Sequence, residues 1–119
     1  MLMDANQFAD DKSVAAIDKV VTIVSALGTT TYSMDVTDQV VLITTGDGYA
    51  LTITLPSVAS AKGRLYSFRM VARGGTSDAT LQDLNGDAAL TDITFNLAAD
   101  AVLLYSDGFK WHALYSTGV

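Results

Sequence analysis

Residues 51–55, Leu-Thr-Ile-Thr-Leu, alternate strictly, with Leu51, Ile53 and Leu55 on one side and Thr52 and Thr54 on the other. A period of two describes a half-buried strand and not a helix. Pro56, the only proline of the chain, ends the strand because it cannot donate to a ladder. Small residues link positions 57–63. Residues 65–72 then alternate again, with Tyr66, Phe68 and Met70 opposite Leu65, Ser67, Arg69 and Val71. From Tyr49 to Arg73 the chain reads strand, tight corner, strand. Such a unit builds sheet and carries no evident chemistry.

The rest of the chain speaks the same language. All thirteen acidic residues are Asp, which favours turns and caps by bonding nearby backbone, whereas the absent Glu favours helices. With 119 residues, 50% hydrophobic and 17% charged, the chain supports one domain with a modest core. That apolar share is high for a small domain and points to an interface in an oligomer or assembly. The net charge of −6 argues against a nucleic-acid partner, which requires a basic surface. No cysteine is present, so disulfides and thiolate metal sites are excluded. The first twelve residues lack the basic and apolar regions of a signal peptide, and no apolar run has membrane-spanning length, so no membrane partner is expected and the site of synthesis is a cytoplasm.

Further strands are expected near residues 19–26, 30–34, 39–45, 79–82, 93–97, 101–105 and 109–115, with turns at Gly46-Asp47-Gly48, Asn85-Gly86 and Asp107-Gly108. Residues 39–45 are almost continuously apolar and read as a buried strand. Residues 13–18 suit a short helical turn capped by Ser13. The expected fold is all-β: a compact β-sandwich or partly closed barrel of about eight short antiparallel strands. The single β domain spans 19–119, preceded by an N-terminal arm or short helix over 1–18. Tyr66, Phe68, Leu103, Tyr105 and Trp111 are the expected bulk of its core. Residues 41–54 and 102–114 both read apolar strand, Asp-Gly, aromatic, strand, which suggests two related hairpins or convergent turn chemistry.

Candidate chemistry is sparse. His112 is the only histidine, and no Gly-x-Ser-x-Gly elbow accompanies it; it alternates outward if Trp111 points in. The Asp83–Asp87 loop offers carboxylates but not the spacing of a calcium-binding loop, leaving an Asx-stabilised turn or a weak cation site open. No nucleotide loop or zinc spacing occurs. No catalytic residue, cofactor or metal ligand is therefore assigned, and an enzyme is not expected. Lys62, Arg64, Arg69 and Arg73 form the only basic cluster, with no acid between residues 57 and 77. They are the candidate partner-binding residues, facing either solvent or a neighbour's Asp. Leu2 and Phe8 join them as anchors of an arm on a neighbouring subunit.

Two blocks of the chain carry a resemblance. LTITLPSVASAKGRLYSFRM, residues 51–70, and YSDGFKWHAL, residues 105–114, resemble small all-β modules of tailed-bacteriophage virion proteins. The shared pattern is an alternating strand ending in Leu-Pro, small residues, Lys-Gly, an aromatic strand, then an Asp-Gly turn before Trp. Such modules occur in head-decoration proteins, head fibres and tail fibres. The resemblance implies a virion structural protein, first of all a capsid decoration or cement protein. Its partners would be the major capsid protein and its own copies, as a homotrimer, on the capsid surface after assembly in the host cytoplasm. The alternative is a tail-fibre or tail-associated module that binds a host glycan through exposed Tyr, Trp and Asp.

Overall fold

The structure, a computed structural model, describes residues 19–119; the expected arm or helical turn over 1–18, with Leu2 and Phe8, lies outside the described residues. The chain forms β1 (Val20–Val24), β2 (Thr31–Ser33), β3 (Val40–Thr45), β4 (Leu51–Thr54), β5 (Leu65–Arg73), β6 (Ala79–Gln82), β7 (Ile93–Phe95), β8 (Ala101–Ser106) and β9 (Trp111–Thr117). Each position expected from alternation is a strand, and no helix occurs among the described residues. A five-stranded sheet in the order β1-β3-β5-β8-β9 accompanies a four-stranded sheet, β2-β4-β6-β7. Neither sheet closes into a barrel.

The expected antiparallel arrangement is corrected to a mixed one. β1 pairs β3 and β3 pairs β5 in parallel, and so do β2 with β4 and β4 with β6. Parallel neighbours need a long crossover. Here each crossover is a strand of the opposite sheet. The chain runs along the first sheet, turns a tight corner into the second, and returns beside its own earlier strand. Three such turns stack, and Val20 lies in register with Val40 and Val40 with Ser67. After β6 the direction reverses: β7 pairs antiparallel with β6, β8 with β5, and β9 with β8.

The corners explain why the stack holds. Residues 26–29, 46–49 and 74–77 make the same turn, each closed by a backbone bond from the fourth residue's N–H to the first residue's carbonyl (2.8, 3.0 and 2.9 Å). A buried hydroxyl then clamps each corner to the next. The Gly46 N–H donates to Ser25 Oγ (2.9 Å), which donates in turn to the Tyr49 carbonyl (2.6 Å). One level on, the Gly74 N–H donates to Thr45 Oγ1 (3.2 Å), which donates to the Ser77 carbonyl (2.6 Å). The approach leaves no room for a side chain. A Cβ on Gly46 would stand 2.6 Å from the Ser25 carbonyl oxygen, and one on Gly74 would stand 2.4 Å from the Asp47 nitrogen.

Gly46-Asp47-Gly48 is therefore a corner between sheets and not a hairpin tip. Asp107-Gly108 does turn a true hairpin, β8 to β9, so the two similar stretches are not related hairpins. The 51–73 unit likewise crosses between sheets. Its 57–63 link is fastened by a bond from Ser106 Oγ to the Val58 carbonyl (2.6 Å).

Inward residues of both sheets share one core, in which Val41, Ile43, Leu51, Ile53, Tyr66, Phe68, Met70, Leu81, Phe95 and Leu104 are fully or almost fully buried. The Tyr66 hydroxyl donates to the Val36 carbonyl (2.7 Å), and its ring meets Trp111 edge-on at 5.7 Å, a favoured aromatic geometry. Leu103 and Tyr105 are corrected from the expected core to the outer face. Val102, Leu104 and Ser106 point inward in their place, with Ser106 drawn in by its bond to Val58.

Thr45→Val keeps the shape but strands the Gly74 N–H and the Ser77 carbonyl, and should cost about 1–3 kcal/mol in denaturant unfolding. Gly74→Ala should cost at least as much through backbone overlap. Thr52→Val, on an outward face, should change stability by less than about 0.5 kcal/mol. Equal effects of the three would contradict the corner clamp.

Candidate functional site

The two sheets present opposite chemistry to their surroundings. On the four-stranded sheet Thr31, Thr52, Thr80 and Thr94 stand in one register row across all four strands, and Ser33, Thr54 and Gln82 form a second. Gln82 Nε2 donates to Thr54 Oγ1 (3.1 Å). Short hydroxyls at these positions suit strands and stay hydrated, and cross-strand Thr pairs stabilise a sheet.

The five-stranded sheet turns out Val20, Val24, Val40, Leu42, Leu65, Val71, Leu103 and Tyr105. Val20, Val24 and Val71 are about half exposed and Leu65 slightly less, while Val40, Leu42, Leu103 and Tyr105 are partly exposed. Thr22, Thr44, Ser67 and Arg69 stand among them, so the face is largely but not wholly apolar, and apolar faces of this kind mark interaction sites on soluble proteins. Its signature in the sequence was the near-continuous apolar run at 39–45. Apolar on both sides of a strand implied burial, and the structure buries one side only.

The four expected cations are not brought together. Lys62 and Arg64 lie before β5, and the Lys62 stem packs over Gly108 of the β8–β9 hairpin. Arg73 stands at the other end of the strand, with Nε and Nη2 donating to Asp78 Oδ1 (3.1 and 2.7 Å) and Nη2 also to the Thr76 carbonyl (3.1 Å). Strict alternation would carry Arg73 onto the same face as Arg69, and the structure departs from it. A register shift between Ile43 and Thr44 sets Ala72 beside Thr44 and Arg73 beside the buried Thr45, moving Arg73 to the corner. Arg69 alone projects from the apolar face. It is exposed, between Leu42 and Ala101, and has no ion-pair partner among the described residues.

The most tightly organised polar group lies where the first stacked turn passes to the second. Asp38 is fully buried. Its Oδ2 accepts from the Tyr32 hydroxyl (2.5 Å) and the Asp35 N–H (2.9 Å), and its Oδ1 meets Lys19 Nζ at 2.9 Å. Burial works to raise the Asp38 pKa, but the bonds from Tyr32, Asp35 and Lys19 outweigh it and hold the carboxyl below its ordinary value. Burial, followed by the bond to Asp38, pushes Tyr32 up to about 12, and the hydrogen bond to Asp38 raises Lys19. These groups tie the start of β1, β2 and the 35–38 turn together.

Other carboxylates bind backbone amides, most of them within their own turns. Asp83 Oδ2 accepts from the Ala88 and Leu90 amides (3.2 and 2.8 Å), and Asp87 Oδ2 from the Val58 amide (3.0 Å). Asp100 Oδ2 accepts from Asn96 and Leu97 (2.9 and 3.0 Å). Among the described residues no three His or Asp side chains converge as a metal-binding group. Asp107 accepts from the Phe109 and Lys110 amides (2.8 and 2.7 Å) and lies 2.8 Å from His112 Nε2. The His112 bond, then those amides, draw it down to about 2. His112 is exposed, with no serine hydroxyl among its hydrogen-bond partners in the described residues. Trp111 is buried.

No family model, curated protein or solved structure matches the chain. Among the described residues, the apolar face and Arg69 upon it are the candidate site.

Asp38 links structure to pH. Its folded pKa lies below the unfolded value of about 3.9, so its stabilisation is complete above that value and is lost as pH falls through the folded pKa. Melting temperature should be level from pH 7 to about 5 and decline below about 4. Asp38→Asn should be less stable at pH 7 by about 2 kcal/mol and show a flatter decline in acid. Parallel acid profiles for the two proteins would rule out Asp38 as the cause.

Proposed function

We propose that the chain is a virion structural protein of a tailed bacteriophage, a capsid decoration or cement protein that binds the outer head surface as an oligomer and stabilises the shell. The observation that carries this reading is the apolar outer face of the five-stranded sheet. It opposes a hydroxyl-bearing face suited to water, as in a module that covers another protein on one side. The resemblance of residues 51–70 and 105–114 to virion modules supplies the setting, with the major capsid protein as partner and a homotrimer as the assembly.

The dimensions suit a lattice. Five strands about 4.8 Å apart and five to nine residues long give a face of roughly 500 Å², somewhat over half of one partner's share in a standard interface. Such a contact is weak singly. It gains strength when linked copies engage neighbouring sites together. Binding only to the assembled shell would then raise the barrier to its opening, as does any ligand specific for one state.

The tail-fibre reading relies on exposed aromatic rings for sugar stacking. Trp111 is buried against Tyr66, which removes the largest of them and favours the decoration reading.

Purified protein should cosediment with expanded empty capsids of the bacteriophage that encodes it, and should not adhere to host cells. Adherence to cells with indifference to capsids would reverse the assignment. Light scattering should show an oligomer, free or on particles; a strict monomer in both settings would remove the trimer.

A further inference from the structure

The apolar face has a defined topography at its centre. Ser67, on the middle strand β5, stands in register between Val40 of β3 and Leu103 of β8. A short side chain between two large ones leaves a hollow, of about 200 Å³, lined by Gln39, Val40, Leu65, Ser67 and Leu103. Two residues further along the same strand and face, about 7 Å away, Arg69 stands between Leu42 and Ala101.

We infer that this pair of features is the recognition centre of the face, taking from a partner protein one apolar side chain in the hollow at Ser67 and one carboxylate on Arg69, spaced about 7 Å apart. The inference rests on the decoration reading and names the chemistry of the capsid surface that would be bound. An anchor residue seated in a small pocket beside a desolvated charge pair is the usual form of an interface hot spot.

Charge decides the occupant. A second copy laid face to face about a two-fold axis through β5 would bring Arg69 against its own counterpart. The strands of this face hold no acid to receive it. Asp107, at the hairpin tip, is engaged by two amides and His112, and Asp100 is buried on the Asn96 and Leu97 amides. Burying two guanidinium groups without partners is strongly unfavourable. A foreign surface bearing a carboxylate has no such conflict and places the pair in register. That symmetric pairing is therefore disfavoured against a carboxylate-bearing foreign surface.

The test compares wild type, Ser67→Phe, Arg69→Asp and the control Thr52→Phe on the opposite sheet, all with melting temperatures measured. Binding to the expanded capsids and sedimentation of the free protein are the readouts. Filling the hollow and reversing the charge should each weaken capsid binding at least tenfold. Thr52→Phe should leave binding unchanged, and all four proteins should share one oligomeric state. If the wild type binds capsids and both face variants bind equally well, the inference fails while the decoration reading stands. If either face variant dissociates the free oligomer, the face belongs to a second copy. If the wild type ignores capsids, the decoration reading falls and takes this inference with it. Should Ser67→Phe fail to fold, Ser67→Val, smaller and favourable in a strand, carries the same comparison.

Discussion

The clamp between successive corners is the interaction on which the remaining structure depends. Ser25 and Thr45 each place one hydroxyl where it accepts a glycine N–H from the next turn and donates to that turn's last carbonyl. Buried backbone groups at a tight bend need partners, and these two side chains supply them at successive levels. The clamp works only if the corners approach closely, hence glycine at 46 and 74. With the corners fixed, β1, β3 and β5 must lie parallel in one sheet and β2, β4 and β6 parallel in the other. The core, the hydroxyl row and the apolar face all follow from that stacking.

Asp without Glu has a related meaning. The chain has many turns and short strands, and a carboxylate one methylene from the backbone reaches amides two to seven residues away. Asp38, Asp83, Asp100 and Asp107 all do so. Asp78 instead binds the Arg73 side chain, and Asp87 reaches further, to the Val58 amide. Acidity here is largely a by-product of turn chemistry. That leaves the apolar face almost uncharged and makes Arg69 stand out upon it.

Strand positions were legible because alternation and glycine or proline breaks act locally, and Leu51–Leu55 before Pro56 shows both. Sheet membership was not. Gly-Asp-Gly between two apolar strands is ordinary hairpin chemistry, and only the buried hydroxyl preceding it marks a corner. A twenty-residue repeat, VVTIVSALGTTTYS against VVLITTGDGYALTIT, held that information in Ser25 and Thr45 but was masked by the stronger likeness between residues 41–54 and 102–114. The facing of β8 was ambiguous because Leu103 and Leu104 are both apolar, and the inward Ser106 settles it through Val58. Arg73 was misplaced by one residue of register shift, which alternation cannot foresee. Of the site, Arg69 was legible as a cation on a strand; the apolar face around it was hidden in a run that resembled a wholly buried strand.

The central claim is that the five-stranded sheet meets a partner while the threonine row faces water. An electron-microscopy reconstruction of decorated capsids, resolved to side chains, tests it most directly. Val40, Leu42, Leu103 and Tyr105 should lie against the shell, with Thr31, Thr52, Thr80 and Thr94 turned to solvent. Threonines against the shell, with the apolar sheet exposed, would contradict it.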